Sequence, residues 1–269
     1  MSKMIPIGLV LSLFWLACDL PFDPGPMPTS LIRTTFEPGL NVFGVLRADG
    51  APGSSIIHVE KALTTEQMYS QDPTIMIDNA EVYLFPGDSI AGIPFVASTD
   101  SLETGFYYHD TYQPLPGQTV QLKITAPDLP QLTARTTIPE YPCVDSTTIA
   151  YQTGQLRFTL LTDSSAAQYV VCVPISGNRS EIHLINTGNP ALPVALNLPL
   201  SISPPFAVLI FAYDHNLTVY LNHSIAVIPQ TFRETIRTVE NGYGCFGSLA
   251  LTVLMIDTDG SGKVVSVLE

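Results

Sequence analysis

The sequence predicts an all-β body of two antiparallel β-sandwich regions, immunoglobulin-like or transthyretin-like in type, and three observations lead there. Almost every apolar run is short and rich in Val, Ile, Thr, Tyr and Phe, the residues that fit a pleated, half-buried surface. Each run is closed by Pro, Gly, Asn or Asp, which punctuate strands more than helices. The dozen-residue helical crossovers that a parallel sheet requires are missing. In order, the predicted strands of the first half are 40–46, 56–62, 80–85, 106–109, 120–126 and 132–138. In the fifth of these, Val120, Leu122 and Ile124 alternate with Gln121, Lys123 and Thr125, so one face meets a core and the other water. The stretch 138–145 (IPEYPCVD) carries two prolines and places a boundary near 140, giving regions 31–140 and 141–269. Strands are expected in the second half at 156–161, 169–173, 181–185, 207–212, 217–221, 249–256 and 264–268. One helix is expected at 231–239, where Phe232, Ile236 and Val239 fall at i, i+4 and i+7.

The N-terminus reads as a secretory leader. One positive charge, Lys3, precedes an uncharged run from Met4 to Ala17, the n-region and h-region of a signal peptide. A spanning helix needs about 20 apolar residues, and this run stops at Cys18 and is followed by Asp19, Pro21 and Asp23. The small Ala17 directly before Cys18 marks a lipoprotein signal, although Trp15 stands where leucine is usual. Residues 1–17 are therefore expected to be removed and Cys18 to carry lipid. Residues 19–30 (DLPFDPGPMPTS) hold four prolines and no apolar period, so 18–30 is read as an extended tether reaching roughly 40 Å at most.

Composition narrows the partners. With 46% hydrophobic and 13% charged residues, the chain can bury one large or two ordinary cores. Net charge is −13, with eleven Lys plus Arg and no basic cluster, which argues against nucleic acid and anionic headgroups. With Cys18 lipidated, Cys143, Cys172 and Cys245 remain, enough for at most one disulfide. Cys143 with Cys172 is the candidate pair if one forms, because both lie in one region and the compartment is oxidising; buried free thiols are the favoured state of all three.

Several patterns suggest chemistry. Gly87-Asp88-Ser89-Ile90 follows an apolar strand and resembles the nucleophile block of GDSL-type esterases, yet no histidine has Asp three places before it to complete the triad. A hairpin turn explains the same residues. Asp257, Asp259 and Ser261 occupy positions one, three and five of a calcium-loop pattern with glycine at six. Position twelve is Leu268 rather than the bidentate glutamate, and a strand–turn–strand hairpin is the competing reading. The five histidines are scattered without ligand spacing. Phe106, Tyr107, Tyr108 and Tyr112 could make a platform for a glycan or small ligand, unless alternate members face a core.

Blocks spread along the chain resemble a known family. Residues 36–46 (FEPGLNVFGVL), 78–84 (DNAEVYL), 105–107 (GFY) and 115–138, and then 168–171 (QYVV) and 239–247 (VENGYGCFG), are similar in order to the Bacteroidota lipoprotein family catalogued as domain of unknown function 4249. This chain is shorter than the pattern between Pro174 and Pro229. The resemblance implies an outer-membrane, lipid-anchored protein accessory to a TonB-dependent receptor, with no assigned catalytic residues and no cofactor. It also implies O-glycosylation at Asp-Ser-apolar or Asp-Ser-Thr patterns, which places Ser89, Ser101 and Ser146 as acceptors.

The expected function is thus a non-enzymatic accessory of uptake that binds a ligand or receptor on either face of the outer membrane. Two rivals stand beside it. A fimbrillin-like structural subunit would polymerise by strand donation after cleavage at Arg33 or Arg47, and an esterase would use Ser89.

Overall fold

The computed structural model describes residues 37–48, 50, 52–64, 67, 75–100, 103–152, 154–175, 179–186, 189–199, 202–223, 238–258 and 264–268, with backbone alone for 175, 179–186, 223, 258 and 264–268. The signal, Cys18 and the tether lie outside the described residues. Residues Glu37–Glu269 form one compact unit.

The first sandwich begins with β1 (Leu40–Arg47), β2 (Ile56–Lys61), β3 (Glu81–Pro86), β4 (Ile93–Ala97), β5 (Phe106–Tyr108), β6 (Thr119–Thr125) and β7 (Leu132–Thr137). The order β1-β2-β5-β4-β3-β6-β7 is continuous because β4 changes sheets. Its first residues pair with β3 at Val82–Leu84, and its last pair with β5 at Tyr107 and Tyr108. A strand that switches partners in this way turns the corner between two packed layers. The alternation expected in β6 is present, with Val120, Leu122 and Ile124 fully buried against Leu40, Val42, Ile57 and Val59 of the opposite layer. Each such side chain contributes about 1.5–3 kcal/mol on leaving water.

The second sandwich contains β8 (Cys143–Gln152), β9 (Gln155–Leu161), β10 (Gln168–Ile175), β11 (Arg179–Asn186), β12 (Ala191–Asn197) and β13 (Phe206–Tyr213). After helix α1 (His215–His223) come β14 (Val239–Glu240), β15 (Gly242–Thr258) and β16 (Val264–Leu268). A three-stranded layer, β12-β9-β8, faces β11-β10-β13-β15, an arrangement of the immunoglobulin-like sandwich class. Leu156, Phe158 and Leu160 meet Tyr169, Val171, Val173, Val208 and Ile210 between the layers.

The two apolar cores divide between Ile138 and Val144, and β15 serves both: Phe246 and Ala250 belong to the first core, Leu254 and Ile256 to the second. Its first half runs parallel to β1 from Leu40↔Gly242 to Arg47↔Leu249, and its second half is antiparallel to β13. This strand is twice the length expected from the sequence, because Gly242, Gly244 and Gly247 read as turn residues. At Gly244, φ is +98° and a Cβ would collide with Val42 O. At Gly247 a Cβ would lie 2.8 Å from Leu217 Cβ of α1. These glycines admit neighbours rather than end the strand.

Four other differences concern assignment. Strands β4, β8 and β12 were not expected, since Pro94, Thr147 and Pro193 interrupt their apolar patterns. The segment expected as a strand at 217–221 is helical, because Asp214 caps it: Asp214 Oδ1 accepts Leu217 N–H at 2.8 Å, and Asp214 O accepts Thr218 N–H at 3.1 Å. Most of the helix expected at 231–239 lies outside the described residues, and its last residue, Val239, is in β14. Cys143 and Cys172 are free thiols. Cys143 is exposed beside the inward Val144, and Cys172 lies between the inward Val171 and Val173. The two thiols therefore face away from each other on opposite layers, which sets aside the candidate disulfide; the free thiols differ from expectation in that Cys143 is exposed rather than buried.

Candidate functional site

An antiparallel sheet with one face in a core ordinarily turns polar residues to water on the other. The β1-β2-β5-β4 layer of the first sandwich does not. Alternation along β1, β2, β5 and β4 buries Val42, Ile57, Val59, Tyr107 and Phe95, and so points Phe43, Ile56, His58, Phe106, Tyr108 and Val96 outward. The register sets them side by side: Phe43 opposes His58, His58 opposes Phe106 and Tyr108 opposes Val96. The His58 ring stacks on Phe106 at 4.3 Å between centroids and 26° between planes. Tyr220 of α1 closes one end, 5.5 Å from Phe43. Val96 is 63% and Ile56 38% exposed, so the row is a half-open apolar and aromatic face. A contiguous patch of this kind marks an interaction surface more often than scattered single residues do. Its polar margin is ordered too, with Asn41 Nδ2 donating to Glu60 Oε2 at 2.9 Å and Glu60 Oε1 3.7 Å from His58 Nδ1.

A second feature lies where β7, β15 and α1 meet. A cleft of about 270 Å³ is lined by Arg135, Ser165, His215 and Asn216, with Thr136 and Asp214 buried in it. Asp214 Oδ2 accepts the Thr136 hydroxyl, Thr136 Oγ1 lies 2.9 Å from Ser248 Oγ, and Ser248 Oγ donates to Thr137 O at 3.1 Å. Burial pushes the Asp214 carboxyl above the ordinary carboxylate range, opposed by the Thr136 hydroxyl and by the backbone N–H groups it receives. Asn216 Nδ2 donates to Arg135 O at 2.7 Å and to Phe246 O at 2.8 Å. Both carboxylate oxygens and the amide are committed to holding the helix against the sheet. The cluster ties elements together.

The residues singled out from sequence are not gathered at one place. Ser89 is exposed in the turn after β3, where its hydroxyl donates to Ala91 O at 3.0 Å and its amide to Pro86 O at 3.2 Å. Ser146 is exposed on β8, and Ser101 lies outside the described residues. Asp257 pairs with Val265 in the β15–β16 hairpin, while Asp259 and Ser261 are outside the described residues. Because Thr258 already pairs with Val264, positions that a twelve-residue calcium loop needs are held in strands instead. Among the described residues no group of three or more His, Cys, Asp and Glu is placed to hold a metal. Of the aromatic platform, Tyr107 and Tyr112 are buried at 1% and 9% exposure. The Tyr107 hydroxyl donates to Ile77 O and accepts Ala80 N–H, both at 2.9 Å. Only Phe106 and Tyr108 face outward.

Residues 26–190 match the family model described as domain of unknown function (DUF4249). The chain belongs to this family. The DUF4249 match spans β1 to β7 and reaches past β11, while β14 and β15, which complete the first sandwich, lie beyond it. Of the blocks that resemble the family, those carried by β1, β3, β5, β6, β7 and β10 lie inside it, and 239–247 lies beyond it. No curated protein matches the chain. Among solved structures, the FN1–FN3 domains of chicken CNTN1 are 16% identical, with a TM-score of 0.26 over 66% of this chain and 60% of that one. The chicken interferon gamma receptor alpha chain is 7% identical, with a TM-score of 0.22 over 66% and 88%. A tetra-tandem repeat from the extending region of a large adhesion protein is 12% identical, with a TM-score of 0.23 over 87% and 63%. The chain thus spans under two thirds of the first and third of these.

Phe43, Ile56, Val96 and Tyr220 of the aromatic face escaped the sequence reading because they come from four separated elements. A signal existed in β1, where Val42 and Leu46 alternate with Phe43 and Val45, apolar on both phases. Asp214 was likewise legible as a cap three residues before Leu217.

Proposed function

We propose that this DUF4249 chain is a non-enzymatic lipoprotein of the outer membrane, tethered through Cys18, whose first sandwich docks a TonB-dependent receptor through its aromatic face. The observation that carries the reading is the outward row Phe43, His58, Phe106, Tyr108 and Val96 on a sheet that otherwise obeys alternation. The anchor rests on the Leu16-Ala17-Cys18 sequence, which supplies the small residue before the lipidated cysteine. Flat aromatic side chains with few rotors lose little entropy on docking and dominate interface energetics. Affinity purification from membranes of the native host is the test. Co-purification of an outer-membrane barrel from wild type, lost with Phe106→Ser/Tyr108→Ser, is expected; equal recovery with the variant sinks the docking face. Mass spectrometry of the mature N-terminus checks the anchor, and an unmodified start elsewhere removes it.

One observation favours a second reading, the fimbrillin-like subunit. Strand β1 ends at Arg47 and lies inside the sheet between β15 and β2. Cleavage at Arg47 would remove Leu40, Val42 and Leu46 from the core and open a strand-width groove for a donor strand. Intact N-termini on cells argue against it.

A further inference from the structure

We infer that His58 and Met76 form a binding site for a soft monovalent cation of the Cu(I) type at the margin of the aromatic face. The pair is set by the backbone. Beyond its short pairing with β5, β2 is flanked by the segment around Met76: Lys61 N–H donates to Ile75 O at 2.7 Å and Ile77 N–H to Val59 O at 3.3 Å. The resulting bridge opposes Glu60 to Met76, and directly opposed residues of an antiparallel pair project to the same face. Met76 therefore stands on the outer face, diagonal to His58, with its Sδ 3.3 Å from His58 Nε2. Gly105 leaves the space open, since a Cβ there would lie 3.3 Å from Met76 Sδ and 3.4 Å from His58 Nε2.

The donors suit one class of ion. A thioether is a soft ligand that selects Cu(I) over hard cations, and imidazole is a good partner for copper. With metal–nitrogen and metal–sulfur bonds of about 2.0 and about 2.3 Å, as these donor atoms make to zinc, a donor separation of 3.3 Å sets an angle of about 100°. That angle suits two positions of a three- or four-coordinate ion rather than a linear two-coordinate one, so the site needs a further ligand from solvent or a bound partner. The imidazole is already oriented, by the Phe106 ring against its face and by Glu60 on the Nδ1 side, which Asn41 holds in turn. A carboxylate behind the non-ligating nitrogen favours the tautomer that frees the Nε2 lone pair for a metal. In the other tautomer the pair is a plain N–H···S contact, and the experiment separates the two.

The test uses the full mature chain with Cys143→Ser and Cys172→Ser, so that two competing thiols are removed, and Ag(I) as a redox-inert probe. Methionine-methyl and imidazole-nitrogen NMR signals are followed through the titration. The Met76 methyl and His58 Nε2 signals should shift together and saturate at one equivalent, while Zn(II) leaves the Met76 methyl in place. Met76→Leu and His58→Gln should each weaken the response of the remaining partner at least about tenfold. An unmoved Met76 methyl under excess Ag(I) overturns the site. So does a His58 response of undiminished affinity in Met76→Leu, whose methyl spectrum reports that it is folded.

Discussion

Two layers, one from each sandwich, cover the same kind of core yet present opposite outer faces. On the three-stranded layer of the second, the outward positions of β9 and β12 are Gln155, Arg157, Thr159, Leu161, Ala191, Pro193, Ala195 and Asn197, and Gln155 Nε2 donates to Asn197 Oδ1 at 3.0 Å. That is a surface of polar, small and proline residues with one leucine, Leu161, at its edge. The outward positions of β1, β2 and β5 in the first are mostly apolar or aromatic. Both layers obey period-two alternation, so the difference lies in what was placed on the outer phase. A face that needs only solubility resembles the first description, and a face with a partner resembles the second. The contrast between these two layers supports the proposed docking face, but it does not extend to every face of the second sandwich, where β13 turns Leu209, Phe211 and Tyr213 to its outer phase.

The largest expected effect tests whether the two regions are separable at all. Phe246 is fully buried in the first core on β15, the strand that also carries Leu254 and Ile256 into the second core. Phe246→Ala should cost about 3–5 kcal/mol and lower both cores in one cooperative denaturant transition. Two separated transitions would show that the sandwiches unfold independently and that β15 does not couple them.

Next in size is the buried junction. Thr136→Val leaves Asp214 without its hydroxyl donor, for a loss of about 1–3 kcal/mol. The carboxyl also gives a pH signature. Its folded value is raised by burial, so the neutral form is favoured in the fold; that contribution is fully present below the ordinary carboxylate value of about 3.9 and is lost as pH rises through the raised value. Wild-type stability relative to Asp214→Asn should therefore fall as pH rises through that window. A relative gain instead would mean that the ionised helix cap outweighs desolvation.

How far the fold could be read from sequence follows the same contrast. Strands with one apolar phase, such as Thr119–Thr125 and Gln155–Leu161, were legible because alternation is a local property. The candidate face was only half legible. Phe106 and Tyr108 could be named, but which neighbours joined them depends on β1, β2 and β4 lying together, and sheet order is not written in any one segment. Strand β15 was cut short because its glycines signal a turn locally, whereas their reason is the close approach of β1 and α1. Helix α1 was read as a strand from Thr218, Val219 and Tyr220, residues whose modest β preference is overridden by the Asp214 cap and the burial of Leu217.

A smaller effect separates binding from folding on the two faces. Phe106→Ser/Tyr108→Ser removes half-exposed side chains and should change stability by no more than about 1 kcal/mol, while reducing receptor recovery at least about tenfold, since aromatic anchors dominate docking. Arg157→Ala/Asn197→Ala on the polar face should alter neither beyond about 0.5 kcal/mol. Equal loss of recovery from both pairs would erase the distinction between the faces.

The smallest perturbation compares two thiols on the outer phase of their own sheets. Cys143 is exposed on β8, whereas Cys245 on β15 is covered by α1, with its Sγ 3.7 Å from Asn216 O. Burial pushes the Cys245 thiol up to about 12, so the thiolate that reacts with alkylating agents is scarce near neutral pH, and the helix blocks access as well. Brief iodoacetamide treatment of the native protein, read by peptide mass spectrometry, should label Cys143 and spare Cys245 until denaturant is added. Labelling of Cys245 at a comparable rate would mean that α1 lifts from the sheet in the native state, and the end of the aromatic face that Tyr220 closes would then be open part of the time.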